Sequence, residues 1–282
     1  MIIETISALR DYLNEQRKQG KTIGFVPTMG YLHEGHLSLI RNAKADNDVV
    51  VVSDFVNPTQ FAPSEDFDSY PRDIDRDEQL AMSAGADVVF YPSVEEMYPA
   101  GSSTFVETEG HITKVLCGAS RPSHFRGVTT VVSMLFNIVQ PDKAYFGQKD
   151  AQQAAVLIKM VRDLHMNLQI VVCPIVREAD GLAMSSRNTY LSADARQQAV
   201  VLNQALLKGK ALFESGEYNV QKLTEAISNK IKEMPLADID YVSIYDYPSL
   251  ETVENINEQA LVAVAVRFGN TRLIDNIILK KN

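Results

Sequence analysis

The chain is poor in cysteine, in net positive charge and in long apolar runs, and each shortage removes a class of answer. Cys117 and Cys173 are the only two cysteines in 282 residues; neither has a metal-ligand spacing beside it, and Cys173 sits inside an apolar, strand-like run. A disulfide framework and a cysteine-rich zinc module are excluded, and two buried free thiols are the expectation. Acidic residues outnumber basic ones 36 to 27, for a formal charge of -9. That balance argues against a general grip on nucleic-acid phosphates, so an anionic ligand must be held by a local site. Apolar stretches such as 261–266 fall far short of the ~18 residues that a membrane helix needs, so no membrane partner is expected. The opening Met1-Ile2-Ile3-Glu4 has no basic flank, extended apolar stretch or small-residue cleavage site, which points to a cytoplasmic protein. Internal repeats and low-complexity linkers are also missing.

What remains is a globular composition, 45% apolar, with a length suited to about two domains at roughly 150 residues each. Ile6, Leu9 and Leu13 recur at helical spacing, Gly20 stops that helix, and 22–26 reads as a buried strand. A loop at 27–35, a helix near 36–45 and a strand at 49–56 complete one βαβ unit. The alternation continues: helix 74–84, strand 87–91, helix 128–139, strand 144–146, helix 151–164 and strand 168–172. Such a pattern predicts an α/β fold, a Rossmann-like doubly wound parallel sheet with helices on both faces. Beyond about residue 177 come a polar loop at 178–188, helices at 193–215 and 220–233, strands at 241–245 and 261–267, and a turn at Gly269-Asn270. The expectation is a first domain over 1–176, a smaller α+β domain over 177–282, and a cleft between them.

In a parallel sheet the ligand crevice lies at the carboxyl ends of the strands, and four polar segments fall at such ends. Pro27-Thr28-Met29-Gly30-Tyr31-Leu32-His33-Glu34-Gly35-His36 follows the first strand and opens a helix. Its glycines allow close backbone approach, the helix start favours phosphate, and the two imidazoles share one helical face. The same histidines also suit a capping turn, or a metal pair, although two ligands alone make a poor zinc site. Asn57-Pro58-Thr59-Gln60-Phe61 ends the second strand, and Gln60 can donate and accept at once, as a small hydroxy acid would require. Phe146-Gly147-Gln148-Lys149-Asp150 repeats the geometry, with Lys149 as a point charge, Asp150 as a possible N-cap and Gln153 one turn further on. Met184-Ser185-Ser186-Arg187-Asn188 offers hydroxyls and a guanidinium from the opening of the second domain. Arg72 could reach phosphate but suits a solvated surface better, and His124-Phe125-Arg126-Gly127 could supply another cation, with Arg126 equally at home as a simple helix-start residue.

The ordered set of Pro27-Thr28-Met29-Gly30, HxGH at 33–36, Phe55-Val56-Asn57-Pro58 with Gln60-Phe61, Tyr70-Pro71-Arg72, Phe125-Arg126-Gly127-Val128, Phe146-Gly147-Gln148-Lys149-Asp150 and Met184-Ser185-Ser186-Arg187 resembles the bacterial pantothenate synthetase (pantoate–β-alanine ligase) family over essentially the whole chain. HxGH alone would indicate only the wider nucleotidyltransferase and class I aminoacyl-tRNA synthetase superfamily. The resemblance implies an ATP-dependent ligase that joins pantoate to β-alanine through a pantoyl adenylate, with Mg2+ on the phosphates. It implies an ATP site of Met29, Gly30, Tyr31, Leu32, His33, Glu34, Gly35, His36, Gly147, Gln148, Lys149, Asp150, Val176, Met184, Ser185, Ser186 and Arg187. Within it, His36 would be a proton donor, with His33 and Lys149 beside it at the phosphates. Gln60 and Gln153 would hold pantoate, Gln60 would also receive β-alanine, and the family's dimer would form through the first domain. One residue departs from the pattern: Asp54 stands where the family has an aliphatic side chain. A carboxylate in a central parallel strand is costly unless it is paired or reaches solvent, so Asp54 is expected to have a polar partner or to weaken the fold.

Overall fold

The structure is a computed structural model that describes residues 1–62 and 67–281. Four successive valines followed by Ser53 and Asp54 form strand β3 (Val49–Asp54), buried at every position because it lies inside a parallel sheet with both faces covered. Its neighbours are β2 (Ile23–Thr28) on one side and β4 (Val88–Phe90) on the other. With β1 (Ile2–Ile3), β5 (Lys143–Gly147) and β6 (Gln169–Cys173) the order is β1-β4-β3-β2-β5-β6, all parallel. The chain winds outward from β2 to β3 and β4, then returns to build β5 and β6 on the other side. The switch point therefore lies between β2 and β5, where the crevice opens.

Helices α1 (Ile6–Lys18), α2 (Glu34–Asp46), α3 (Ile74–Ser83), α4 (Val94–Met97), α5 (Cys117–Ser120), α6 (His124–Val139) and α7 (Ala151–Asp163) surround this sheet. Strand alternation sends Val49 and Val51 to a core shared with α1, α6 and α7, and Val50 and Val52 to a second core under α2 and α3. The rest of the chain builds α8 (Ala193–Ala199), α9 (Val201–Glu214), α10 (Val220–Ile231) and an antiparallel sheet of β7 (Ala237–Asp246), β8 (Gln259–Phe268) and β9 (Thr271–Lys280). This small sheet has its own apolar core against α8, α9 and α10. A fourth cluster, with Val115, Phe125, Ala155 and Val156 against Leu250, Leu261 and Ala263, joins it to the first sheet.

The Rossmann-like parallel sheet and the smaller α+β unit agree with the sequence-based fold class, while several elements differ in detail. β1 is two residues long, too short to show a period, and exists through pairing with β4. α6 begins four residues before the expected 128 because Gly127, which reads as a breaker, lies inside the helix. A Cβ there would stand 2.4 Å from the Thr59 carbonyl oxygen, so glycine lets α6 pack against the backbone that carries Gln60. The single helix expected over 193–215 is two, α8 and α9, divided at Val200. β9 was not foreseen, because Asp275 and Asn276 occupy buried positions in mid-strand and interrupt its apolar pattern.

Candidate active site

At the end of β2, the Thr28 hydroxyl donates to the Ser53 carbonyl at 2.8 Å and accepts from the Gly30 N–H at 3.1 Å, starting a tight turn. Gly30 has φ +79°, and a Cβ would fall 2.2 Å from Asp54 Oδ1, so the position requires glycine twice over. The turn is held from α3. Asp77, buried to 1% exposure, accepts from the N–H groups of Tyr31 and Leu32, the latter at 2.7 Å. Arg76 donates to the Leu32 carbonyl at 2.9 Å and covers the Tyr31 ring at 5.0 Å. Backbone donors that sequence reasoning left open for phosphate are thus already engaged.

His33 is the N-cap of α2. Its Nδ1 accepts from the Gly35 N–H at 3.1 Å, and His36 Nδ1 accepts from the His33 N–H at 3.3 Å, a reciprocal capping box with the rings stacked at 4.0 Å. With Nδ1 accepting, the neutral rings carry their proton on Nε2. Burial, then the nearby Lys149 ammonium, pulls His33 down to about 4. Burial, then His33 and Lys149, holds His36 well below the usual imidazole range. In the free protein both are therefore neutral N–H donors at pH 7.

β5 delivers Lys149, whose ammonium lies 3.3 Å from Asp150, and α7 carries Gln153 into the same space. Gln152, one residue earlier, turns away and donates to the carbonyls of Ile112 and Val115. Gln60 is presented by a 3-10 turn after β3 and held in place: Asn57 Nδ2 donates to its Oε1 at 3.1 Å, and Tyr98 donates to Asn57 Oδ1 at 2.7 Å. The carbonyl of Gln60 meets Arg121 at 3.4 Å and His124 at 3.0 Å. Ser185 caps the Ser186–Tyr190 turn, and the Met184 N–H donates to the Val176 carbonyl.

Together these groups enclose a cavity of about 230 Å3. Of the sequence candidates, Met29, His33, Gly35, His36, Gln60, Gly147, Lys149, Asp150, Gln153, Val176, Met184, Ser185, Ser186 and Arg187 line it. Val128, Val131, Val132 and Leu135 of α6 supply an apolar wall. A second cleft, about 420 Å3, opens beside it toward the small sheet and shares Lys149, Gln153, Arg187, Arg121 and His124.

Five candidates do not line the cavity. Gly30 packs on Asp54, Tyr31 lies under Arg76, Leu32 is buried among aliphatic side chains, Glu34 pairs with Arg41 on the surface, and Gln148 binds Asn276. Arg72 is exposed against Phe67, and Arg126 is exposed over Phe105, so neither faces the cavity. The cation missed by the sequence reading is Arg121, which faces the cavity together with His124. Their three-residue spacing at a helix start is a usable signal only once Gly127 is recognised as helical.

Asp54 has its polar partner. It is 5% exposed at the end of β3 and hydrogen-bonded to Asp77. Burial raises its carboxyl to about 7, aided by the Asp77 charge and the shared hydrogen bond, while Arg72 pulls the other way. Asp54 thus holds the proton, and Asp77 remains the acceptor for the turn.

A parallel sheet with a histidine-capped turn and a lysine turn meeting at its switch point defines a Rossmann-like α/β protein with a ligand cleft between two sheets. The chain belongs to the pantoate-beta-alanine ligase family, which it matches over residues 1–278. It is 58% identical over 279 residues to the pantothenate synthetase of Acetivibrio thermocellus, covering 99% of each chain. Among solved structures, pantothenate synthetase from Thermus thermophilus superposes with a TM-score of 0.93 at 46% identity, covering 98% of both chains. A pantoate-beta-alanine ligase from Francisella tularensis, complexed with beta-gamma ATP and beta-alanine, gives 0.81 at 37% identity and covers 98% of this chain and 97% of that one.

Proposed function

We propose that this protein condenses pantoate with β-alanine at the expense of ATP, releasing pantothenate, AMP and pyrophosphate. The observation that carries the reading is the convergence of Gln60, Gln153, His33, His36 and Lys149 on one cavity, in a chain that matches the ligase family nearly end to end. A carboxylate is a poor acyl donor, so activation comes first. A pantoate carboxylate oxygen attacks the α-phosphorus, the bond to the β-phosphate oxygen breaks, and pyrophosphate leaves. The β-alanine amine then adds to the acyl carbon of the pantoyl adenylate, and AMP departs with the electron pair of the mixed anhydride bond.

The glutamines suit the hydroxyls and carboxylate of pantoate, and the apolar wall of α6 suits its dimethyl carbon. Lys149 and Arg187 place positive charge where the phosphates must lie, and the His33 and His36 Nε2–H groups add two directed donors against charge building up at the α-phosphate. Fixing both reactants in a cavity shielded from water accelerates each step and protects the adenylate from hydrolysis, so no covalent protein nucleophile is needed. Magnesium enters with ATP as its chelate. Asp150 is the one carboxylate on the described cavity wall, and among the described residues no three His, Cys, Asp or Glu side chains gather to hold a metal of their own.

In this reading residues 1–176 carry most of the pantoate and ATP contacts, and 177–282 close over them through 184–187. The protein works in the cytoplasm as a homodimer. The test is product formation with each substrate omitted in turn. Pantothenate, AMP and pyrophosphate should appear together only with ATP, pantoate and β-alanine all present, and nucleotide left stably attached to the product would overturn the assignment.

A further inference from the structure

We infer that Asn276, on the small sheet, is a positioning residue for Lys149: its side-chain amide holds the Gln148-Lys149 turn from across the cleft and makes the lysine's placement depend on the position of the small sheet. The inference rests on the adenylation reading above. Asn276 Nδ2 donates to the carbonyls of Gln148 and Lys149, both at 2.9 Å, and its Oδ1 accepts from Gln148 Nε2 at 3.3 Å. The donor that meets these two carbonyls comes from more than a hundred residues further along the chain, so the turn's backbone is tied to the small sheet rather than to its own segment.

Asn276 is itself anchored. It is 3% exposed, and its N–H donates to Asp275 Oδ1 at 2.7 Å. Asp275 is gripped by both guanidinium nitrogens of Arg177, at 2.6 and 2.9 Å. Arg177 follows β6 where the chain leaves the first sheet, and it also donates to the Gly181 carbonyl. A chain of hydrogen bonds thus runs from the crossing segment through Arg177, Asp275 and Asn276 to the backbone of Lys149. The cross-strand partners of Asp275 and Asn276 on β8 are Val264 and Ala263, so this strand pair would be cheaper to bury with aliphatic side chains at both positions. An amide retained there must be engaged, and what it engages is the lysine turn.

The experiment compares pantoate-dependent pyrophosphate exchange, which reports adenylation without β-alanine, in wild type, Asn276→Leu and Asn276→Asp, each with and without Lys149→Ala. With Lys149 present, Asn276→Leu should lower the exchange kcat by about 30- to 100-fold, the scale expected when a reacting group is misplaced by about 1 Å. The KM for pantoate should stay within about threefold, because Gln60 and Gln153 are untouched. Asn276→Asp, which keeps the shape but turns acceptors toward the carbonyls, should behave alike, so the test survives if the leucine variant does not fold. In the Lys149→Ala background neither change should lower kcat further. An unchanged kcat in a folded variant, or an equal loss with and without Lys149, refutes the inference. Wild-type protein that shows no pantoate-dependent exchange would instead refute the adenylation reading itself.

Discussion

Replacing Asp54 with asparagine tests the reading of the turn behind the HxGH histidines. Asp54 is buried at the end of β3, lies against the Cα of Gly30 and gives its proton to Asp77, which holds the N–H groups of Tyr31 and Leu32. Its carboxyl is raised from 3.8 to about 7. Between those values the unfolded chain has released the proton and the folded chain still binds it, so stability must fall as pH rises through this window and level off above it. The full loss is about 4 kcal/mol, at roughly 1.4 kcal/mol for each tenfold change in proton affinity. Because the proton is shared with Asp77, we take about 2 kcal/mol as the part that Asp54→Asn recovers at pH 8, a Tm gain of roughly 4–8 °C. Asparagine keeps an N–H for Asp77 but has no proton to lose. Thermal and denaturant unfolding of both proteins from pH 4 to 8 gives the answer: the stability difference should be near zero at pH 4 and widen to its full value by pH 7. A difference that does not change with pH would show that no proton is held between the two carboxyls. Asp54→Ile should show the same pH trend with a smaller gain, since Asp77 then loses a donor.

Three other outcomes are expected. Imidazole titration of the free protein by NMR should find His33 neutral down to about pH 4 and His36 neutral well below the ordinary imidazole range. In the unfolded chain both rings take up protons near their ordinary value, so their contribution to stability is present above it and is lost as pH falls toward 4; a midpoint near 6.5 for either ring would contradict the buried capping box. Gly127→Ala, which sets a Cβ 2.4 Å from the Thr59 carbonyl oxygen and 2.6 Å from the Gln60 Cα, should cost about 1–3 kcal/mol of stability by overpacking and raise the pantoate KM about tenfold through displacement of Gln60. Steady-state kinetics on the folded fraction separates the two effects. Arg121→Ala should raise the KM for pantoate by about five- to tenfold, because its guanidinium braces the Gln60 carbonyl, whereas the exposed Arg126→Ala should change it by less than about twofold. Equal effects from the two arginines would mean that the wrong cation has been placed at the cavity.

Much of the architecture was legible because it is local. Helical spacing in α1 and α2, the valine run of β3 and the short loops between them depend on neighbours a few residues apart, and they suffice to predict a parallel sheet with its crevice at the strand ends. The HxGH turn and the Lys149 turn could be placed at that crevice from the alternation alone. β9 was hidden for the opposite reason: Asp275 and Asn276 face partners on distant elements, so the strand lacks the alternation that would mark it.

The sequence by itself determined most strands and helices of the parallel-sheet unit and which polar stretches stand at its carboxyl edge, since periodicity and turn chemistry act over one or two turns of chain. Only the tertiary structure decided what each polar atom meets there. Asp77 takes the backbone donors that seemed open to phosphate, burial beside Lys149 leaves the histidines neutral, and Arg121 rather than Arg126 faces the cleft. Hydrogen-bond partners, burial and charge environment are properties of groups brought together from far apart in the chain, and a one-dimensional pattern does not encode them residue by residue.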